Sequence, residues 1–160
     1  MTELRPLHIG PVVIDPPLLL APMAGYTRSP FRAICQRFAC SMAFTEVVTA
    51  QGTRRRSPRT MFYLTSSPEE RPIAAQLYGT EPAAFAEAAA VIESLGRFDA
   101  VDINCGCPAP KVTRKGAGVA LMRDPERIGA IVAATRRATS LPVTVKARLG
   151  LSPEEANVLA

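Results

Sequence analysis

Two kinds of hydrophobic spacing take turns along this chain. Compact apolar runs are bounded by proline, glycine or aspartate, and between them lie longer stretches where apolar positions return every three or four residues. The first kind predicts strands and the second helices. Val12–Ile14 and Leu18–Ala21 are split by Asp15-Pro16-Pro17, so they read as a small strand, a turn and a buried strand. Ser29-Pro30 opens a helix, with serine as cap and proline in the first turn, and Phe31, Ile34, Cys35 and Phe38 share one face of it. Met42–Val48 is the second strand, residues 51–60 are polar and basic, and Ile73–Tyr78 is the third strand. An alanine-rich helix from Thr80 and Pro82 to Leu95 ends at Gly96. Ala100–Asn104 is the fourth strand, Asp124-Pro125 starts a helix reaching Ala138, and Val143–Arg148 is the fifth strand. Strand and helix alternate throughout, which predicts parallel strands joined by right-handed helical crossovers.

Alternation within the strands separates an open sheet from a barrel. In the third, Ile73, Ala75 and Leu77 oppose Ala74, Gln76 and Tyr78; in the fourth, Val101 and Ile103 oppose Asp102 and Asn104; in the fifth, Val143, Val145 and Ala147 oppose Thr144, Lys146 and Arg148. An open sheet covered on both sides is apolar on both faces. One apolar face, and one that turns polar toward the C-terminal end, instead predicts part of a (β/α)8 TIM barrel with a site in its upper interior. Gln76, Asn104 and Lys146 are expected to converge there, with Glu46 as a fourth at the end of the second strand. Left unpaired when buried, such groups cost about 1–3 kcal/mol each, so they call either for a polar ligand or for one another.

Size and composition narrow the picture further. With 160 residues, 48% of them hydrophobic, the sequence can build one core. A complete barrel takes about 250 residues. Five strands are accounted for by Arg148, and Ser152-Pro153-Glu154-Glu155-Ala156 reads as the first turns of the next helix. Residues 1–160 are therefore expected to be the N-terminal portion of a barrel domain, a truncated fragment whose open edge at Val143–Arg148 invites self-association or a partner. No run approaches the roughly 20 apolar residues of a membrane helix, and Glu3, Arg5 and Pro6 do not fit a signal peptide, so a cytoplasmic protein is expected. Cys35, Cys40, Cys105 and Cys107 are expected to be free thiols, and with His8 as the only histidine no zinc or other metal site is expected. Nineteen basic residues against fourteen acidic ones give a net charge of +5, which favours an anionic partner. The densest knot, Arg54, Arg55, Arg56 and Arg59, reads equally as a phosphate-binding patch or as a solvated loop.

The strings LAPMAGYTRSPFR at 20–32, TEVVTAQG at 45–52, QLYG at 76–79, VDINCGCPAPKVTRKGAGVALMRDP at 101–125 and VTVKARLG at 143–150 together resemble the tRNA-dihydrouridine synthases in order, spacing and strand position. The resemblance implies an FMN-dependent oxidoreductase of (β/α)8 fold that reduces uridines in tRNA, with NADPH recharging the flavin. It implies flavin contacts from Pro22, Met23, Ala24, Gln76 and Lys146, a catalytic Cys107 and a substrate contact from Asn104. It also implies a main flavin phosphate site and a helical tRNA-binding domain in later parts of such proteins, so this chain alone is expected to bind FMN weakly or not at all.

The residue chemistry agrees with those roles. An amide both donates and accepts, as a flavin's pyrimidine edge requires, and a lysine stabilises negative charge beside it. Reducing the uracil 5,6 double bond takes a hydride at one carbon and a proton at its neighbour, and an ordinary thiol, ionising near pH ~8.5, can supply that proton. Cys105 shares its parity with Val101 and Ile103 and reads as a packing residue. Gly116 and Gly118 are expected to let the following loop fold over substrate, with Lys111, Arg114 and Lys115 meeting phosphates and the base extruded from the RNA stack. Two alternatives remain open: another FMN barrel of the dihydroorotate dehydrogenase type, and a non-catalytic RNA-binding or partner-completed half-barrel.

Overall fold

The computed structural model describes residues 4–152. It begins with an antiparallel hairpin, β1 (Leu7–Ile9) against β2 (Val12–Ile14), which turns at Gly10 with φ +58°. The main sheet is parallel and pairs in chain order: β3 (Leu19–Leu20), β4 (Met42–Phe44), β6 (Ile73–Tyr78), β7 (Ala100–Cys105) and β8 (Val143–Ala147), while β5 (Val48–Thr49) continues the line of β4 against the upper end of β6. Helix α1 (Ser29–Gln36) connects β3 to β4. The pair α2 (Ala50–Arg54) and α3 (Pro58–Tyr63) follows β5, and α4 (Pro82–Ser94) leads from β6 to β7. A short α5 (Pro110–Thr113), a 3-10 segment at Gly118–Arg123 and α6 (Pro125–Arg137) precede β8. The result is a curled half-barrel of five parallel lines of strand with helices on its outside, as the alternation of elements predicts.

The two strand faces feed two cores. Outward, Ile73, Ala75, Leu77, Val101, Ile103 and Cys105 pack against Ala84, Phe85, Ala88, Ala89 and Ile92 of α4 and Ile131 of α6. The small alanines let α4 lie close to the sheet. Inward, Met42, Phe44, Ala74 and Ala100 meet Ile14, with Ile9 and Val12 of the hairpin packed against them. The hairpin thus plugs the lower interior and gives the half-barrel an apolar floor. The sequence pattern marks no strand at β1, because Leu7-His8-Ile9 lacks the unbroken apolar run that marks Val12–Ile14.

Several boundaries differ from expectation for identifiable reasons. Met42–Val48 is not one strand. The ladder is interrupted at 45–47, where the Thr45 hydroxyl accepts from the backbone N–H of Gln76 at 3.1 Å and the Glu46 carboxylate turns to the β3–α1 loop. Residues 51–60 are largely helical rather than a solvated loop, and the arginine knot is divided: Arg54 pairs with Glu87 at 3.0 Å and Arg56 donates to the Ser94 hydroxyl at 2.8 Å, both on α4. Ser29 does not cap α1. Arg28 holds the cap position, and the Ser29 hydroxyl bonds to Glu70.

The apolar face of α1 also points the other way. Phe38 is 79% exposed and Ile34 52%, while Arg32 is 1% exposed. The guanidinium of Arg32 donates to Glu70 at 2.7 Å and to the Thr27 and Thr65 carbonyls at 2.6 and 2.7 Å, a set of acceptors that turns the charged side of the helix inward. Helix α1 lies beside β3, the first strand of the sheet order, and Leu18, Leu19, Leu20, Ile34 and Phe38 line an open groove of about 300 Å3 there. Most of the predicted start of the helix after the fifth strand, from Pro153 on, lies outside the described residues.

Candidate active site

The strand register sets the polar groups in one layer above the floor. Gln76 of β6 stands opposite Asp102 of β7, Asp102 opposite Thr144 of β8, and Asn104 opposite Lys146. Their side chains are joined. Gln76 Nε2 donates to Asp102 Oδ2 at 2.6 Å, Asn104 Nδ2 donates to Gln76 Oε1 at 3.0 Å, and Thr144 Oγ1 donates to Asp102 Oδ1 at 2.6 Å. Beyond the strand end, Asn104 Oδ1 accepts from the backbone N–H of Cys107 at 3.0 Å and of Gly106 at 3.3 Å. Gln76, Asn104 and Cys107, three of the sequence-predicted residues, therefore form one connected series. Burial pushes the Asp102 carboxyl up to about 6 against the opposing pull of Gln76, Thr144 and Lys146. The Cys105 thiol is buried in the outer core and pushed up to about 11, by burial first and by Asp102 second.

Two cavities flank this series. The inner one, about 310 Å3, is lined by Pro22, Phe44, Asp102, Thr144 and Lys146 among others. The outer one, about 420 Å3, is lined by Ala24, Glu46, Arg59, Tyr63, Tyr78, Cys107 and Lys111 among others. Pro22 and Lys146 thus share the first and Ala24 and Cys107 the second. Met23 lines neither: its backbone is held in a turn by Thr27, whose hydroxyl bonds to both the N–H and the carbonyl of Met23 at 3.0 Å.

Glu46 is not a fourth partner of the amide series. Its oxygens accept from the Gly25 N–H at 2.6 Å and from Arg28 Nε at 3.1 Å, so it clasps the β3–α1 loop to the end of the second line of strand. The guanidinium of Arg28 in turn lies 5.2 Å from the ring centre of Phe62 and 5.3 Å from that of Tyr63, within cation–π range. Arg28 and Tyr63 were not legible as site residues, since nothing in their local spacing marks them, whereas Tyr78 shares its parity with Gln76. Asp102 and Thr144 carried a signal, their shared parity with Asn104 and Lys146.

The loop after Cys107 is fixed rather than free to fold over a ligand. It contains α5, and the Val119 N–H donates to the Cys107 carbonyl at 3.0 Å. Gly118 is buried with φ +64°, and a Cβ there would lie 2.5 Å from the Cys107 carbonyl oxygen. Replacing Gly118 by alanine is expected to cost at least the 1–2 kcal/mol of a left-handed non-glycine residue, roughly, and to displace Cys107 as well. Denaturant unfolding together with the reactivity of the Cys107 thiol checks this; an unchanged midpoint and thiol rate would refute it. Lys111, Arg114 and Lys115 are all exposed on this segment.

Cys35, Cys40, Cys105 and Cys107 are free thiols. Among the described residues no group of three or more histidine, cysteine, aspartate or glutamate side chains is placed to hold a metal ion, and no helix is long and apolar enough to cross a membrane.

A parallel half-barrel with amides, a lysine and a thiol gathered at the C-terminal ends of its strands is the arrangement of a barrel protein that binds its ligand at that end. The family model for dihydrouridine synthase (Dus) matches residues 19–160, and the chain belongs to that family. It is 43% identical over 155 residues to a protein of Mycobacterium tuberculosis named "Probable tRNA-dihydrouridine synthase", covering 91% of this chain and 40% of that one. It is 40% identical over 151 residues to "tRNA-dihydrouridine synthase B" of Pseudomonas aeruginosa, covering 94% of this chain and 45% of the relative. A third relative, from Aquifex aeolicus, is 39% identical over 142 residues, covering 86% of this chain and 44% of its own length. The chain thus spans less than half the length of these curated relatives.

Proposed function

We propose that this chain forms the Cys107-bearing face of a cytoplasmic tRNA-dihydrouridine synthase, an FMN- and NADPH-using oxidoreductase that reduces the 5,6 double bond of a uridine in tRNA. The observation that carries this reading is the series Gln76–Asn104–Cys107, set between one cavity that holds Lys146 and another that holds Arg59 and Lys111. Family membership and the names of the relatives, which specify tRNA, support it.

The residues fit a flavin. Gln76 keeps one amide N–H and one oxygen lone pair uncommitted, Lys146 places a cation at the cavity wall, and the half-buried Pro22 allows close backbone approach. FMN, when bound, supplies the hydride for one carbon of the uracil double bond. Cys107 then gives its Sγ proton to the neighbouring carbon and is reprotonated from water, so the π bond is replaced by two C–H bonds. Asn104 holds the loop that carries Cys107, and Arg59 and Lys111 offer charge to RNA phosphates at the outer cavity.

A second reading is favoured by one observation, the exposed apolar groove between β3 and α1: a half-barrel that has no catalysis of its own and closes on another chain. Joining this chain to the remaining length of the mycobacterial relative and mixing the purified protein with FMN and with tRNA separates the two. A yellow one-to-one complex that reduces uridine with NADPH supports the synthase. A colourless protein that still retards tRNA on a gel supports the second reading, and failure in all three assays overturns both.

A further inference from the structure

Asp102 is buried, both its carboxylate oxygens face donors, Gln76 Nε2 and Thr144 Oγ1, and it is unused by the mechanism above. Both ends of the series it joins are chemically one-sided. An ionised carboxylate only accepts, so Gln76 must turn its Nε2 toward Asp102. The backbone N–H groups of Gly106 and Cys107 only donate, so Asn104 must turn its Oδ1 toward them. Between these two constraints, Asn104 Nδ2 necessarily meets Gln76 Oε1, as it does at 3.0 Å. Flipping Asn104 would set donor against donor at the Cys107 end and acceptor against acceptor in the middle, and flipping Gln76 would set acceptor against acceptor at the Asp102 end and donor against donor in the middle.

We propose that Asp102 is a positioning residue, the terminal acceptor of a one-way hydrogen-bond chain, Cys107 N–H to Asn104 to Gln76 to Asp102, that sets the orientation of both amides and of the Cys107 loop. Thr144 completes the arrangement by donating to the other carboxylate oxygen at 2.6 Å, which keeps the carboxylate plane fixed. The chain has a consequence for recognition. The Asn104 oxygen is consumed by two backbone donors, leaving one Nδ2 proton as its only uncommitted group. Asn104 therefore meets a ligand as a donor, suiting a ring carbonyl and not an amino group. That the carbonyl belongs to uracil rests on the functional reading above; the chain itself does not.

The charged or titratable groups that face Asp102 are Lys146 from β8 and Cys105 from its own strand, and its other contacts, Gln76 and Thr144, are neutral. Protonating Asp102 removes the charge that strengthens the whole chain, since hydrogen bonds to an ionised acceptor are the stronger kind and linked bonds polarise one another. The test is side-chain and backbone amide NMR of the 15N-labelled chain across pH, without flavin or RNA. The side-chain amides of Gln76 and Asn104 and the backbone amide of Cys107 are expected to shift together with a midpoint near pH 6. One Asn104 side-chain proton should be protected from exchange and the other should exchange with solvent.

In Asp102→Asn, which keeps the shape but cannot ionise, the common titration disappears. In Thr144→Val, which loses one of the bonds that favour the ionised carboxylate, the midpoint moves up, and this variant decides the matter if Asp102→Asn does not fold. A Cys107 amide that ignores the titration, a titration that survives Asp102→Asn, an unmoved midpoint in Thr144→Val, or two freely exchanging Asn104 protons would each overturn the proposal. Absence of FMN binding once the chain is joined to the remaining length of the mycobacterial relative would count against the functional reading alone.

Discussion

With Cys107 replaced by alanine, uridine reduction is expected to fall by about 10²–10⁴-fold while FMN uptake stays as it was. The assay joins this chain to the remaining length of the mycobacterial relative, so that the missing portion does not limit the rate. The size of the effect follows from the task. Hydride addition to one carbon leaves its neighbour in need of a proton, and among the residues lining the outer cavity Cys107 offers an S–H on a half-buried loop fixed from two sides, by Asn104 and by Val119. Lys111 and Arg59 line the same cavity but are exposed cations suited to phosphate. Cys107→Ser separates proton supply from cavity filling. Serine keeps the shape but holds its proton far more tightly, so it should remain close to the alanine variant. A rate within threefold of the parent in Cys107→Ala would remove this residue from the chemistry.

The second large effect concerns stability. Glu70→Gln is expected to destabilise the chain by about 3–5 kcal/mol, because it leaves the Arg32 charge buried without its partner. The pair is 2.7 Å apart with both side chains essentially inaccessible. Glu70 is also committed to the Ser67 backbone N–H at 2.7 Å and to the Ser29 hydroxyl, and Arg32 to two carbonyls, so no water stands ready to replace the lost group. For a domain whose total stability lies near 5–15 kcal/mol, that loss shifts the urea midpoint by a large fraction of its value. The double replacement Arg32→Met with Glu70→Leu should recover much of it, since the cost arises from an uncompensated charge and not from the lost attraction. A single-variant loss below 1 kcal/mol would show that the pair is already hydrated in solution.

How much of this was legible beforehand depended on whether a residue's neighbours lay along the chain or across it. The strands β6, β7 and β8 could be read because each shows its alternation over five or six residues, and the same alternation placed Gln76, Asn104 and Lys146 on one face. The register that sets Asn104 beside Lys146 and Gln76 beside Asp102 then follows from parallel pairing. What failed was anything decided by a distant partner. Helix α1 carries an ordinary apolar stripe, yet Glu70, thirty-eight residues further on, reverses which side is buried. Glu46 has the parity of a barrel-interior residue, yet Gly25 and Arg28 claim both its oxygens. Gly118 looked like a hinge in the sequence because its composition is that of a flexible segment; the carbonyl of Cys107 pressed against it shows the opposite role.

The hydrophobic floor formed by Ile14, Met42, Phe44, Ala74 and Ala100 has an electrical consequence. It places a weakly polarisable slab directly beneath Asp102, Gln76 and Lys146, so field lines from those groups cannot be answered from below and spread upward into the mouth. Charge at the strand ends is thereby felt across the opening more strongly than the same groups on a wetted surface would allow. The hairpin, whose Ile9 lines the inner cavity, thereby sets the reach of the polar groups above it.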